Sequence, residues 1–442
     1  MAIEKYTSYK KSGITWLGDI PDHWEIRRIK YLFKEVDGRS TSGDENLLSV
    51  SQYTGVTKKS DKVAEGENLT NAKTLEGYKI VKKGDLVINI MLAWNGSLGI
   101  SNYNGIVSPA YCVYKNILGN EKYFGYLFKT KNAQQEFKKQ STGIIDSRLR
   151  MYTDSFFNIK TAVPPENEQN AIATFLDYKL EKINRFITKK KQLIELLSEQ
   201  KEAIINKAVI KGINPNAKPK PSGIEWLGDI PEHWEFKKLK YLISEKNIRS
   251  KTGEEELLSL SKYKGVIPKS KLAERAGNAE SLIGYKKVFE NDLVFNKMQA
   301  INGIMAVSKI EGLCSPDYSV YYTKDEKELS IKYLEYLLIQ NGYKTEFKRR
   351  SRGVMEGYIR VYTDALFNIK VPLPRINEQH SIIKLIKEQT SKVNNTILNI
   401  EKELTLVEEY KIALIAEAVT GKIDVRDFKV PSTEEPLAMV AE

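Results

Sequence analysis

The chain has 442 residues, enough for two or three domains with cores of their own, which excludes a small scaffold stapled by disulfides or metal. Lysine and arginine number 69 against 57 acidic residues, a net charge of +12 that favours an anionic partner, nucleic acid above all. With 41% hydrophobic residues and 24 tyrosines the chain is expected to fold, so global disorder is excluded as well.

In chain order, the first segment is polar and carries Lys5, Lys10 and Lys11 with no apolar stretch behind them, which predicts no signal peptide. The sequence Gly13-Ile14-Thr15-Trp16-Leu17-Gly18-Asp19-Ile20-Pro21-Asp22-His23-Trp24-Glu25 then returns almost unchanged at residues 223–235, 210 residues later. Arg150-Met151-Tyr152-Thr153-Asp154 likewise returns as Arg360-Val361-Tyr362-Thr363-Asp364, while Gly77-Tyr78-Lys79 and Ser108-Pro109 return at a spacing of 207. A period this long marks a duplicated domain, for which a pseudo-twofold relation is expected. The copies agree at their edges and diverge inside, as two related surfaces reading different things would.

Within each copy, short strands are expected at Asp85–Ile90 and Tyr111–Tyr114, and again at Asp292–Asn296 and Tyr318–Tyr321, between Gly, Asn and Ser turns. The run Leu86 to Trp94, interrupted by Asn89, is the longest apolar stretch and covers about half the ~20 residues of a membrane helix, so a soluble, cytoplasmic protein is expected. Cys112 and Cys314 form no CxxC pair and no Cys/His cluster, predicting two free thiols and no structural metal. A helical stretch is expected over 122–139 and over 331–349. Pro164-Pro165 and Pro372-Leu373-Pro374 then stop a strand and open a long helix.

In the first long helix Leu176, Ile183, Lys190, Leu197 and Ile204 recur every seven residues, with Ile172, Leu180, Phe186, Ile187, Leu193 and Ile194 beside them. The second carries Ile386, Val393, Ile400, Val407 and Leu414, with Ile383, Ile397 and Leu404, and Gly212 and Gly421 are expected to cap the two C-termini. Roughly 44 helical residues at ~1.5 Å each reach about 66 Å, and a stripe that long needs a partner. Antiparallel pairing of the two helices, as a ruler between two domains, is expected; packing of each helix on its own domain is the alternative that Lys190, Gln200 and Thr396 leave open.

The order of variable domain and long helix, written twice, resembles the specificity subunit of bacterial type I restriction-modification systems. The resemblance rests on the Gly-Ile-x-Trp-Leu-Gly-x-Ile-Pro-x-His-Trp opening of each copy and on Asn167-Glu168-Gln169 and Asn377-Glu378-Gln379 at the helix starts, with Arg375 in place of the second proline. It implies an α+β fold: two mixed α/β target-recognition domains in tandem, 1–165 and 213–375, with spacer helices at 166–212 and 376–422 in an antiparallel coiled coil and a tail at 423–442. It also implies a non-catalytic subunit that recognises a split duplex DNA site. Methyltransferase subunits, two in number, and restriction subunits would be the partners, with S-adenosylmethionine, ATP and magnesium on those partners and no cofactor here.

Catalytic readings find no support in the residues. Pro164-Pro165 lies between Val163 and Glu166 and is not the Asn/Asp-Pro-Pro-aromatic tetrapeptide of a DNA methyltransferase, and no G-x-x-x-x-G-K-[ST] string occurs. Pro316-Asp317 with Glu346-Phe347-Lys348 has nuclease character, yet the first copy reads Pro109-Ala110 with Glu136-Phe137-Lys138 and lacks the aspartate. His23 and His233, and Trp16, Trp24, Trp226 and Trp234, belong to the shared frame and are expected to be structural; His380 is expected on a helix surface.

Duplex DNA needs cations for phosphates and paired donors for base edges. The candidates in the first copy are Gln52, Tyr53, Lys58, Lys59, Ser60, Asn95, Arg148 and Arg150. Those in the second are Lys262, Tyr263, Lys269, Ser270, Lys297, Gln299, Asn302, Arg349, Arg350, Arg352 and Arg360. Gln52, Gln299 and Arg352 are expected to read bases and the lysines to hold phosphate; Arg150 and Arg360, common to both copies, suit phosphate or an internal ion pair. A protein-assembly scaffold with incidental basic charge is the competing reading.

Overall fold

The computed structural model describes residues 4–62, 70, 72–262, 264–271, 281–353 and 359–431. The chain divides into two units, residues 1–190 with 402–442 and residues 191–401, so each long helix contributes one half to each unit.

The first unit is built on an antiparallel four-stranded sheet in the order Phe33–Val36, Tyr111–Asn116, Leu86–Asn89, Leu98–Ile100. Leu86–Asn89 is buried along its whole length, which explains why it reads as a continuous apolar run without the alternation of a half-exposed strand. The second unit repeats the arrangement with Ile243–Lys246, Tyr318–Thr323, Leu293–Asn296 and Met305–Val307. Both strands expected in each copy are therefore present, at the centre of the sheet.

The stretch expected as one helix after the sheet is two helices in each copy, Glu121–Phe128 with Lys131–Gln140, and Ile331–Leu338 with Asn341–Arg350. The break has a local cause in the first copy. Thr130 adopts an extended backbone, donates its hydroxyl to the Leu127 carbonyl at 2.7 Å and accepts the Ala133 N–H, capping the next helix. Phe124, Phe128, Phe137 and Phe156 then close an aromatic core under the sheet. In the second copy the strand Lys370–Leu373 runs through Pro372 and does not stop at it; among the described residues the strand pairs with Glu235–Lys238 alone, and such an edge tolerates a missing N–H.

The long helices span Glu166–Lys211 and Ile376–Val419. In the first unit Lys411 Nζ donates to Asn184 at 2.8 Å and Lys190 pairs with Glu403 at 2.7 Å, so the partners run in opposite directions. Leu180, Ile183, Ile187 and Leu414 are buried along this seam. In the second unit Lys201 donates to Asn394 at 2.8 Å, and Ile205, Val209, Ile382 and Ile386 join the domain core. Antiparallel pairing and packing on the home domain therefore coexist.

Both helices end on the expected glycines, Gly212 and Gly421, each at φ +72°. Each also closes a tight contact: a Cβ on Gly421 would lie 2.4 Å from Pro21 Cδ, and one on Gly212 would lie 3.2 Å from Trp234 Cζ2. In the first unit the exit of the second helix meets the start of the chain, with Asp424 N–H on the Glu4 carbonyl at 2.8 Å. In the second unit the corresponding stretch is one continuous chain from Gly212 to the strand Pro219–Pro221.

Candidate nucleic-acid interface

The shared motifs are spent on holding each domain to its helix. His23 Nε2 lies 2.9 Å from Glu168 Oε1, and Trp24 Nε1 donates to Glu168 Oε2 at 2.5 Å. In the second copy His233 meets Glu378 at 2.8 Å, while the Trp234 indole N–H is buried without a hydrogen-bond partner. Gln169, buried, accepts the Asn120 N–H at the start of the helix that follows the sheet and donates to the Pro164 carbonyl, both at 2.8 Å. Gln379 does the same for Ser330 and Pro374. These roles were out of reach of the sequence, where the only signal was that His-Trp and Glu-Gln recur at one spacing. Trp16 is buried as well, and His380 is exposed on its helix.

The divergent residues gather at the other features of each domain. In the first unit Gln52 and Tyr53 form the exposed turn between strands Leu48–Ser51 and Gly55–Lys58, Tyr53 being 85% exposed. Lys58 Nζ stands 5.5 Å from the Tyr103 ring centroid, and Lys59 and Ser60 continue into a short 3-10 turn. Asn95 ends another 3-10 turn, where its Oδ1 accepts from the Ser97 N–H and hydroxyl. A third segment, 142–150, is closed by two backbone hydrogen bonds of 2.9 Å between Thr142 and Arg150. It carries Arg148 and the fully exposed Ile144, which charge and hydrogen-bonding logic passed over. The third segment is joined to the end of the strand Leu86–Asn89 by Met151 N–H on the Ile90 carbonyl at 2.8 Å, and to the helix Lys131–Gln140 by the Lys138–Asp146 ion pair.

The second unit repeats the scaffold with part of the side chains changed, Lys262 standing for Gln52 and Gln299 for Leu92. Lys262 lies at the hairpin turn, Lys269 and Ser270 follow it, and Tyr263 lies outside the described residues. Gln299 and Asn302 share a 3-10 turn and a 2.6 Å hydrogen bond. Arg352 and Arg360 form the backbone bridge equivalent to Thr142 and Arg150, and Val361 N–H reaches the Lys297 carbonyl at 3.0 Å. Here the expected arginines are engaged. Arg349 and Arg350 both hold Glu346, and Arg352 pairs with Asp364 at 2.5 Å while its guanidinium lies 6.0 Å from the Tyr362 ring. Glu346 is thus tied to two guanidinium groups on its own helix, and those arginines must exchange a carboxylate for phosphate to act on DNA. Arg360 donates to Met298 Sδ at 3.8 Å.

Beneath these loops Glu245 accepts from the Thr363 hydroxyl at 2.6 Å, the Ser319 hydroxyl at 2.9 Å and Lys286 Nζ at 3.2 Å. Burial works to raise its pKa, and these hydrogen bonds outweigh burial and hold it below the ordinary carboxylate range. Burial pushes the Lys297 ammonium down, and Lys286 adds to that. It also pushes the Cys314 thiol up to about 12, leaving a free but inert sulfur. Among the described residues no three His, Cys, Asp or Glu side chains are placed to hold a metal ion, and no helix is long and apolar enough to cross a membrane.

Residues 21–196 match the family described as type I restriction modification DNA specificity domain. The chain is 26% identical to the type I restriction enzyme MjaVIII specificity subunit of Methanocaldococcus jannaschii, over 92% of this chain and 95% of that one. It is 24% identical to the putative type I restriction enzyme MjaX specificity subunit of the same organism, over 96% and 98%. A chain solved in work on complex assembly and conformational transition of the type I R-M system shares the fold, with a TM-score of 0.64 at 12% identity over 90% of this chain and 98% of that one. The type I DNA specificity domain is thus matched over the first of two units that share one scaffold, each carrying part of both long helices. Along most of its length the chain is similar to specificity subunits of type I restriction-modification systems.

Proposed function

We propose that the chain is the non-catalytic sequence-specificity subunit of a type I restriction-modification complex, each unit reading one half of a bipartite, asymmetric duplex site. The observation that carries this reading is the pairing of one frame with two sets of loops: the His-Trp and Glu-Gln contacts recur in both units, while the loops differ at Gln52 against Lys262, Lys58 against Pro268, Leu92 against Gln299 and Thr142 against Arg352, and keep Tyr53/Tyr263, Lys59/Lys269, Ser60/Ser270, Asn95/Asn302 and Arg150/Arg360 in common. A net charge of +12 supplies the attraction for phosphate. Methyltransferase subunits, two per chain, dock on the long helices and bring S-adenosylmethionine; restriction subunits join through them with ATP and magnesium, in the cytoplasm where the DNA is.

The test is duplex binding by the chain together with its methyltransferase subunits across a salt series. The affinity is expected to fall steeply, the logarithm of the constant dropping by ~0.9 per phosphate neutralised for each tenfold rise in salt. Absence of binding to any duplex, with the assembly intact, would leave the protein-scaffold reading in its place.

A further inference from the structure

The central strand pair ends at the same place in both units. In the second, the last paired residues are Asn296 and Tyr318, so Lys297 and Asp317 are the first residues beyond the ladder on its two strands. In the first, the ladder ends at Asn89 and Tyr111, and the positions beyond it are Ile90 and Ala110. The surrounding backbone is the same: Tyr111 N–H bonds Ser108 at 2.9 Å, Tyr318 N–H bonds Ser315 at 3.0 Å, and residue 90 or 297 receives the N–H of Met151 or Val361. Three segments that carry divergent residues therefore meet at one pair of positions.

That pair changes together. Both members are uncharged and apolar in one unit, and both are charged, with opposite sign, in the other. Asp317 is exposed and Lys297 half-buried; the Asp317 carboxylate lies close enough to oppose the desolvation of the Lys297 ammonium. An exposed carboxylate on a surface that meets DNA repels phosphate and is tolerated where it accepts a base amino hydrogen, as cytosine N4 provides; a lysine beside it donates to guanine O6 or N7. Ile90 and Ala110 present only methyl groups, which suit the thymine methyl.

We propose that this ladder end is a base-reading position of each unit: Lys297 and Asp317 take a G·C pair in one half-site, and Ile90 with Ala110 takes the thymine of an A·T pair in the other. The inference rests on the DNA-specificity reading above. It turns Asp317 from a fragment of nuclease character into a specificity determinant, and moves Lys297 from phosphate to base.

Methylated bases mapped in DNA from cells carrying the complete system test it. The unaltered chain must give a two-part site; if it gives none, the reading of the protein fails, whatever the variants do. K297I/D317A is expected to relax or shift one G·C position of one half toward A·T by about tenfold or more while the other half stays as it was, and I90K/A110D to act on the other half alone. D317N replaces an exposed carboxylate by an amide of the same shape, so it decides the matter if a double variant loses all methylation. Unchanged base preference in D317N, or a loss spread evenly over all sites in K297I/D317A, overturns the proposal and returns Lys297 to phosphate.

Discussion

Two residues written alike in both copies do different work. Trp24 N–H satisfies the buried Glu168, whereas the Trp234 N–H has no partner. Replacing Trp24 by Phe removes a donor from a buried carboxylate as well as ring area, at about 1–3 kcal/mol for the donor alone, so Trp24→Phe is expected to destabilise more than Trp234→Phe. Chemical denaturation of both variants checks this; equal losses would show that the indole bond contributes nothing. Glu245 offers a pH test. Its folded pKa lies below the ordinary 4.5, so its stabilisation is complete above that pH and is lost as pH falls through the lower folded value. Glu245→Gln is expected to lower stability at pH 7 and to flatten its dependence on pH below about 4.5. A variant as acid-sensitive as the parent would place that sensitivity elsewhere.

At the scale of elements the long helices carry apolar side chains of two kinds. Leu414 is buried at 2% exposure in the seam, and Leu406 on the same helix is 65% exposed. Leu414→Ala is expected to cost about 2–5 kcal/mol through lost transfer energy and the cavity left behind, and Leu406→Ala within about 0.5 kcal/mol. Denaturation midpoints decide it: a large effect at Leu406 in the isolated chain would mean that its side chain is buried in solution. The heptad pattern gave both helices from sequence, because a 3.5-residue period survives local substitutions such as Lys190, whose ammonium finds Glu403. The break at Thr130 was not legible, since a threonine inside an otherwise helical run is compatible with both continuation and capping, and only the Leu127 carbonyl and the Ala133 N–H decide between them.

For the whole molecule, two units that each own a complete sheet and core are expected to act separately. Exchanging residues 40–150 for the same stretch of another such subunit is therefore expected to change one half of the recognised site and leave the other unaltered, read from methylated bases in cellular DNA. A change in both halves would show that the units do not read independently.

The sequence by itself determined the duplication and the long amphipathic helices, and carried the resemblance to type I specificity subunits, because each is a periodic or repeated pattern that no single contact has to confirm. It also offered candidates for DNA contact, among which Gln52 and Lys262, or Thr142 and Arg352, differ between the copies while Tyr53 and Tyr263 do not. Tertiary structure alone decided that Glu168 and Gln169 hold the domain to its helix, that Arg349, Arg350 and Arg352 stand paired with acids, and that Lys297 and Asp317 both lie just beyond the end of one ladder. The physical reason is range. Hydrophobic periodicity is local and reads from one strand or helix at a time, whereas an ion pair or a buried hydrogen bond depends on strand register and helix entry angle, which bring together residues as far apart as His23 and Glu168.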